Sequence, residues 1–218
     1  MLTDVVSNIN VGAVTSAAES LSPVMDVIRN TWAKETLLDI ISGKVAVPDS
    51  VINEKIANSL DGSEKVKSMT ITSRADGRLD IHADVKGIGP VELSGTIDQC
   101  IHQHNNSYVT YTIKQSKLED HAVLSWIFSH ISLAMTEKLV GKLDFGHSLP
   151  TTVNGNTITV NYDQALGETS LGGVEIMGYS LLDALEIKDA VPHDGYIEFT
   201  TALNVPEPAR ALLLQVLL

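Results

Sequence analysis

The chain has few of the residues on which several classes of function depend. Cysteine occurs once, at Cys100, so an intramolecular disulfide cannot form and a disulfide scaffold is excluded. Lysine and arginine number 15 against 27 aspartates and glutamates, which gives a formal net charge of −12. Because nucleic acids and anionic membranes are bound largely through Lys and Arg, this balance argues against both as partners.

Long apolar runs are also absent. No stretch reaches the roughly 18 uncharged apolar residues of a membrane-spanning helix, so we expect a soluble chain with no transmembrane segment. The first twenty residues have no basic start, and Asp4, Asn8 and Asn10 interrupt their apolar residues, so no signal peptide is expected. The expected location is cytoplasmic as the sequence stands, or the cell envelope if an export signal has been removed.

Hydrophobic residues make up 44% of the chain although aromatics are only 5%, so Val, Ile, Leu and Ala must fill a substantial core. The most apolar segment lies in the middle, where a helix is predicted over 120–141. Between His121 and Thr136 it contains no Asp, Glu, Lys or Arg. A helix with so little charge is expected to be buried on most sides.

Alternating apolar and polar residues predict strands over about 66–117 and again over about 143–203. Asp76-Gly77 and Asn154-Gly155 predict two-residue hairpin turns, and residues 99–107 predict a polar loop. One apolar face and one polar face are typical of an antiparallel sheet. We therefore predict an α+β fold, in which a curved antiparallel sheet wraps around the long central apolar helix, with an N-terminal helical segment.

The N-terminal part has helical periodicity over 2–20 and 22–43, and Gly43 is expected to end the second helix. Residues 44–50 are the only plausible linker. The predicted organisation is thus a helical N-terminal segment, 1–47, followed by an α+β domain, 48–218. The apolar tail after Pro208 predicts a last short helix. These helical ends provide a possible surface for a homo-oligomer or a protein partner.

Cys100, His102 and His104 are the one group that resembles a metal site, since Cys and His are zinc ligands. On an extended strand, however, three alternate positions spread over roughly 13 Å, too far for one ion. We expect no metal and no cofactor here.

Ser125, Ser129 and His130 invite a hydrolase interpretation, but no acid lies nearby and no Gly-x-Ser-x-Gly motif occurs. The glycine-rich segments do not have the spacing of a phosphate loop. His121 and His130 are read as structural residues or as a polar handle for a ligand head group. No catalytic residue is assigned, and a non-enzyme is expected.

Three stretches carry a resemblance to a known family. They are PDSVINEKIANSL at 48–60, the meander VKSMTITSRADGRLDIHADVKGIGPVELSGTI at 66–97, and the helix 120–141 with the strands that follow it, ending in GGVEIMGYSLLDALEIKDAVPHDGYIEFTTAL at 172–203. Together they resemble the tubular lipid-binding (TULIP) proteins, in particular small bacterial members with one such unit. The resemblance implies a sheet around a long helix that leaves an apolar tube for acyl chains. The chain departs from it in having an extra segment, 1–47, and no export signal or lipidation cysteine near its start.

The expected function is non-enzymatic binding or carriage of a lipid or other apolar small molecule in a groove between sheet and helix. The expected lining consists of Leu124, Ile127, Phe128, Ile131 and Met135 on the helix and Ile71, Leu79, Ile81, Leu93, Ile97, Ile197 and Phe199 on the strands. The alternative is a protein-interaction or scaffolding module with a filled core, which associates through the N-terminal helices. A hollow groove and a filled core both require the same alternation of apolar and polar residues along the strands.

Overall fold

The structure, a computed structural model, describes residues 23–60, 62–104, 106–116, 118–144 and 149–216. The predicted helix over 2–20 lies outside the described residues. The fold is α+β with a large antiparallel sheet. In the described ranges, no helix is long and apolar enough to cross a membrane.

The helices are α1 (23–31), α2 (Lys34–Ser42), α3 (Asp49–Ser59), α4 (His121–Val140), α5 (Asp163–Gly167), α6 (Leu181–Ala184) and α7 (Glu207–Val216), with a 3₁₀ turn at Ser170–Gly173. The strands are β1 (Lys44–Pro48), β2 (Val66–Ser73), β3 (Arg78–Val85), β4 (Gly89–Gln103), β5 (Asn106–Ser116), β6 (Thr151–Asn154), β7 (Thr157–Asn161), β8 (Glu175–Ile176), β9 (Tyr179–Ser180), β10 (Leu185–His193) and β11 (Tyr196–Leu203). The tail helix predicted after Pro208 is confirmed as α7.

The large sheet branches at the long strand β4. Its main order is β1-β11-β10-β4-β5-β7-β6, and β2 and β3 form a second branch. β5 occupies one edge of β4, whereas the other edge is shared. β3 pairs with its first half, from Gly89 to Thr96, and β10 pairs with it at His102. One strand therefore organises both branches.

Helix α4 confirms the predicted central helix within one residue at each end. Asp120 is its N-cap, and its carboxylate accepts hydrogen bonds from the backbone N–H groups of Ala122 and Val123 at 2.9 and 3.1 Å. Fifteen of its 20 residues are buried. It packs against α3 on the helical side and against β6 and β7 of the sheet.

The C-terminal end of α4 is held by the N-terminal part of the chain. The indole N–H of Trp32 donates to the Leu139 carbonyl at 2.7 Å. The Lys55 ammonium on α3 pairs with the Glu137 carboxylate at 2.9 Å. A carbonyl in the last turn of a helix has no partner within the helix, so the Trp32 bond satisfies it.

The predicted linker over 44–50 is wrong. These residues form β1, which pairs with β11, and the start of α3. Val45 and Val47 point into the core between exposed neighbours, which is the alternation of an edge strand. The boundary expected between 47 and 48 falls inside β1.

The two predicted hairpins differ in outcome. Residues 151–161 form a hairpin where one was predicted, but its two-residue loop is Gly155-Asn156, one residue later than the predicted Asn154-Gly155. At Asp76-Gly77 the predicted two-residue turn is wrong, because residues 74–77 form a four-residue loop. The Gly77 N–H donates to the Arg74 carbonyl at 3.0 Å, and Gly77 has a φ of +79°, which glycine adopts most easily.

Candidate functional site

The apolar residues predicted to line a ligand groove come together in one cluster. Eleven of the twelve are buried, and Ile97 is half-buried and packs against the others. Five lie on α4, and the rest lie on the inward faces of β2, β3, β4 and β11. The same cluster is the hydrophobic core of the described residues, so these twelve side chains pack the interior.

A buried polar contact joins α4 to β5 within this core. The Tyr111 ring lies 4.7 Å from the Phe128 ring between centroids, tilted by 50°. The Ser132 hydroxyl donates to the Phe128 carbonyl, so the Tyr111 hydroxyl, 2.8 Å away, donates to Ser132. Burial raises the pKa of Tyr111. The sequence analysis did not single out Tyr111, because the alternation of a β-strand does not show which side chains a residue contacts.

A groove of about 910 Å³ opens beside β4, on the side where the chain leaves β5 for α4. Its walls are the outward side chains of β3, residues 90–94 of β4, residues 114–116 of β5 and Leu118. Val91, Leu93 and Leu118 are buried members of the core cluster, so the groove reaches the core surface. Of the twelve predicted residues, Leu93 lines it.

A β-bulge shapes this groove. Ser94 pairs with Gln115, whereas Gly95 pairs with Ile113, so Lys114 is the extra residue on β5. A bulge re-aims side chains, and both Lys114 and Gln115 line the groove. Gly95 is required at the bulge, since a Cβ there would lie 2.5 Å from the Thr112 carbonyl oxygen.

Most charges in the groove are paired. Asp80 accepts from the Arg74 guanidinium Nε and from the Ser94 hydroxyl, each at 2.7 Å. Burial would raise the pKa of Asp80, but these bonds outweigh it and the pKa is lowered. Arg78 Nε pairs with an Asp76 carboxylate oxygen at 2.7 Å. The carboxylate of Asp80 is therefore a fixed anion that orients Arg74.

A second, shallower groove of about 220 Å³ lies on the same outer face, over β2, β3 and β4. It shares His82, Pro90, Val91 and Glu92 with the larger groove. The His82 and Glu92 side chains lie 3.6 Å apart, Nδ1 to carboxylate oxygen. The sequence pattern assigns this face of alternating Arg, Asp and His to solvent, so it did not predict a groove.

The predicted polar loop over 99–107 is wrong, because β4 continues to Gln103 and β5 begins at Asn106. Cys100 is buried, and burial raises the pKa of its thiol to about 12. His102 is buried as well. Its Nε2–H donates to the Leu182 carbonyl at 2.9 Å, and its Nδ1 accepts from the Ser107 hydroxyl at 2.8 Å. Burial lowers the pKa of His102.

His104 lies apart from these two residues, exposed at the β4–β5 turn, where its Nδ1 is 3.4 Å from an Asp183 oxygen. Across the part of the chain that the structure describes, no three His, Cys, Asp or Glu side chains form a group suited to a metal ion.

The hydroxyl and imidazole groups on α4 bond to their own helix. Ser129 donates to the Ser125 carbonyl at 2.7 Å. His130 is buried, bonds through Nδ1 to the Trp126 carbonyl at 2.9 Å, and stacks on the Trp126 ring. Burial lowers the pKa of His130 to about 4, with the nearby Lys65 charge acting in the same direction. His121 is exposed at the first turn of α4.

Comparison of the chain with protein-family models, with curated proteins and with solved structures found no match in any of the three.

Proposed function

We propose that this chain is a non-enzymatic binding protein for an apolar or amphiphilic small molecule such as a single-chain lipid. The ligand enters at the larger groove, which is lined by β3, β4, the end of β5 and Leu118. One observation carries the proposal: three buried residues of the hydrophobic core, Val91, Leu93 and Leu118, are among the residues that line that groove. An apolar chain laid on it would leave water without a new apolar surface becoming exposed.

The size of the groove supports a ligand of this class. Its volume of about 910 Å³ lies within the roughly 300–1,000 Å³ that is usual for small-molecule sites. Each methylene group that leaves water contributes about 0.8 kcal/mol, so several are needed for useful affinity. The imidazole–carboxylate contact in the groove, between His82 and Glu92, is 3.6 Å long and exposed to solvent, and we propose binding without chemistry.

The proposal includes a TULIP-like arrangement, in which the sheet curves around α4. Its support is the burial of 15 of the 20 residues of α4, between α3 on one side and β6 and β7 on the other. In this arrangement Leu93 and Leu118 lie at the mouth, and the predicted α4 residues Leu124, Ile127 and Ile131 lie further inside.

Substituting Leu118 tests the proposal. A Leu118→Trp variant would place a larger side chain at a position that lines the groove. We expect it to weaken binding of a ten-carbon chain, such as 1-decanol, by about tenfold or more, which corresponds to about 1.4 kcal/mol. Isothermal titration calorimetry would measure the affinity, and thermal unfolding would show that the variant is folded.

Leu38→Trp is the matched control, because Leu38 is 44% exposed on α2 and does not line the groove. It should bind the same ligand as the unmodified chain does. The proposal is wrong if the unmodified, folded chain binds no ten-carbon ligand, or if both tryptophan variants bind equally well.

The filled-core interaction module remains the second candidate. It is favoured by the burial of eleven of the twelve predicted lining residues in a single packed cluster. Under this candidate the chain would show a concentration-dependent mass in light scattering after gel filtration, without binding any apolar ligand. A constant monomer mass together with ligand binding would reject it.

A further inference from the structure

The larger groove has a more balanced charge than the rest of this strongly acidic molecule. Three basic side chains line it, at Arg74, Arg78 and Lys114, against the two carboxylates of Asp80 and Glu92. The chain as a whole has a formal net charge of −12. Since Asp76 also pairs with Arg78, the basic and acidic groups at the groove nearly balance, so anions are repelled less there than elsewhere on the molecule.

Among the described residues, Lys114 is the cation lining this groove that has no carboxylate partner. Arg74 pairs with Asp80, Arg78 pairs with Asp76 outside the groove, and Glu92 lies beside His82. Lys114 is exposed, and no carboxylate of the described residues lies within 4.0 Å of its ammonium. Its charge is thus available to a ligand.

The position of Lys114 is set by the backbone. As the extra residue of the β4–β5 bulge, it faces the groove together with Gln115. Gly95 opposite the bulge allows the two backbones to approach closely. Lys114 continues the outward alternation of Thr110 and Thr112, and the bulge adds its neighbour Gln115 to the same face of the sheet.

Apolar surface lies in the same groove. Val91, Leu93 and Leu118 are among its lining residues, and so is Ile88, which has 52% of its surface exposed. A cation and apolar lining residues within one groove match a molecule that has an anionic head and an apolar chain. The ion pairs of Arg74 and Arg78 use Nε, so their terminal N–H groups remain to donate to the same head.

We propose that the groove selects single-chain amphiphiles with an anionic headgroup, a carboxylate in the first instance, and that Lys114 pairs with that headgroup while the chain lies on Val91, Leu93 and Leu118. This inference rests on the proposed function and names its ligand class. Lys114 is then a specificity residue, since it distinguishes heads of different charge on the same chain.

The test compares three ligands with one chain length and different heads: decanoate, 1-decanol and decyltrimethylammonium. Each is titrated into the full chain by calorimetry at low ionic strength, below the concentration at which micelles form. Decanoate should bind about fivefold more tightly than 1-decanol, as expected for one partly exposed ion pair, and decyltrimethylammonium should bind most weakly. Added salt should reduce the preference for decanoate.

Lys114→Gln should remove the preference for decanoate over 1-decanol. Lys34→Gln, on α2, makes the same charge change away from the groove and should preserve the preference. Equal binding of the three heads by the unmodified chain, or a preference that Lys114→Gln retains, would overturn this inference and leave the proposed function standing. If none of the three ligands binds, the proposed function fails as well.

Discussion

Met177 lies in a backbone conformation that residues other than glycine rarely adopt. It precedes Gly178 in the two-residue turn between β8 and β9, and their φ angles are +53° and +83°. A turn with two positive φ angles favours Asn-Gly or Asp-Gly, because a longer side chain clashes with its own backbone. Met177 is also 62% exposed, so little packing offsets the strain.

Met177→Asn should therefore stabilise the protein. We expect the free energy of unfolding to rise by about 1 kcal/mol, since asparagine tolerates the left-handed conformation. Urea denaturation would measure it. Tyr179→Asn serves as the control, because Tyr179 is exposed in the same hairpin without a positive φ. If Met177→Asn is no more stable than the unmodified chain, the prediction is wrong and methionine causes no strain in this turn.

At the scale of elements, the end of α4 depends on a side chain more than 100 residues away in the chain. Trp32 follows α1, is buried, and donates its indole N–H to the Leu139 carbonyl in the last turn of α4. The Leu139 carbonyl accepts no hydrogen bond within the helix. Loss of the Trp32 indole N–H would therefore leave this carbonyl oxygen without a hydrogen-bond partner in the interior.

Trp32→Phe should lower the free energy of unfolding by about 2–4 kcal/mol, from the unsatisfied carbonyl and the smaller ring together. Chemical denaturation followed by circular dichroism would measure the change. Trp126→Phe is a suitable comparison, because Trp126 is only partly buried on the same helix and should cost less. Equal losses in the two variants would argue against a special role for the bond to Leu139.

At the scale of the whole molecule, stability should depend on pH through two buried histidines. Burial lowers the pKa of His130 from its ordinary 6.5 to about 4, and it lowers the pKa of His102 in the same direction. Below about pH 6.5 the unfolded chain binds protons that the folded chain does not. Above that pH these histidines do not reduce the free energy of unfolding. As the pH drops toward about 4, the free energy of unfolding falls, by about 3 kcal/mol for His130.

Urea denaturation at several pH values between 7.5 and 4 would reveal this slope. His130→Gln should flatten it, whatever the variant does to stability at neutral pH. His121→Gln, which changes an exposed histidine on the same helix, should leave the slope as it is. A slope that His130→Gln does not alter would mean that other groups set the acid sensitivity.

Much of the secondary structure was predictable because it depends on local chemistry. The uncharged run of α4 and its cap at Asp120 are readable along the chain, and so are the alternating faces of β2, β3 and β11. The hairpin at Gly155 follows from turn residues that prefer positive φ. In each case neighbouring residues contain the signal, through periodicity, a capping side chain or a glycine.

The site was less predictable than the fold. The twelve apolar residues were correctly grouped by face, but periodicity says only that a face is buried and not whether it meets a ligand or another side chain. Residues 99–107 look polar, yet Cys100 and His102 are buried because β4 has partners on both edges. That burial comes from pairing between distant segments.

The sequence by itself determined the α+β class, the central helix, the acidic surface and the absence of an intramolecular disulfide, since composition and short-range spacing decide these properties. Tertiary structure alone decided that residues 44–48 complete a sheet, that Trp32 closes the end of α4, and that a bulge places Gln115 beside Lys114 in a groove next to Leu93 and Leu118. The physical reason is that register, bulges and concave surfaces arise from how distant segments pair and pack, and local periodicity does not encode that pairing.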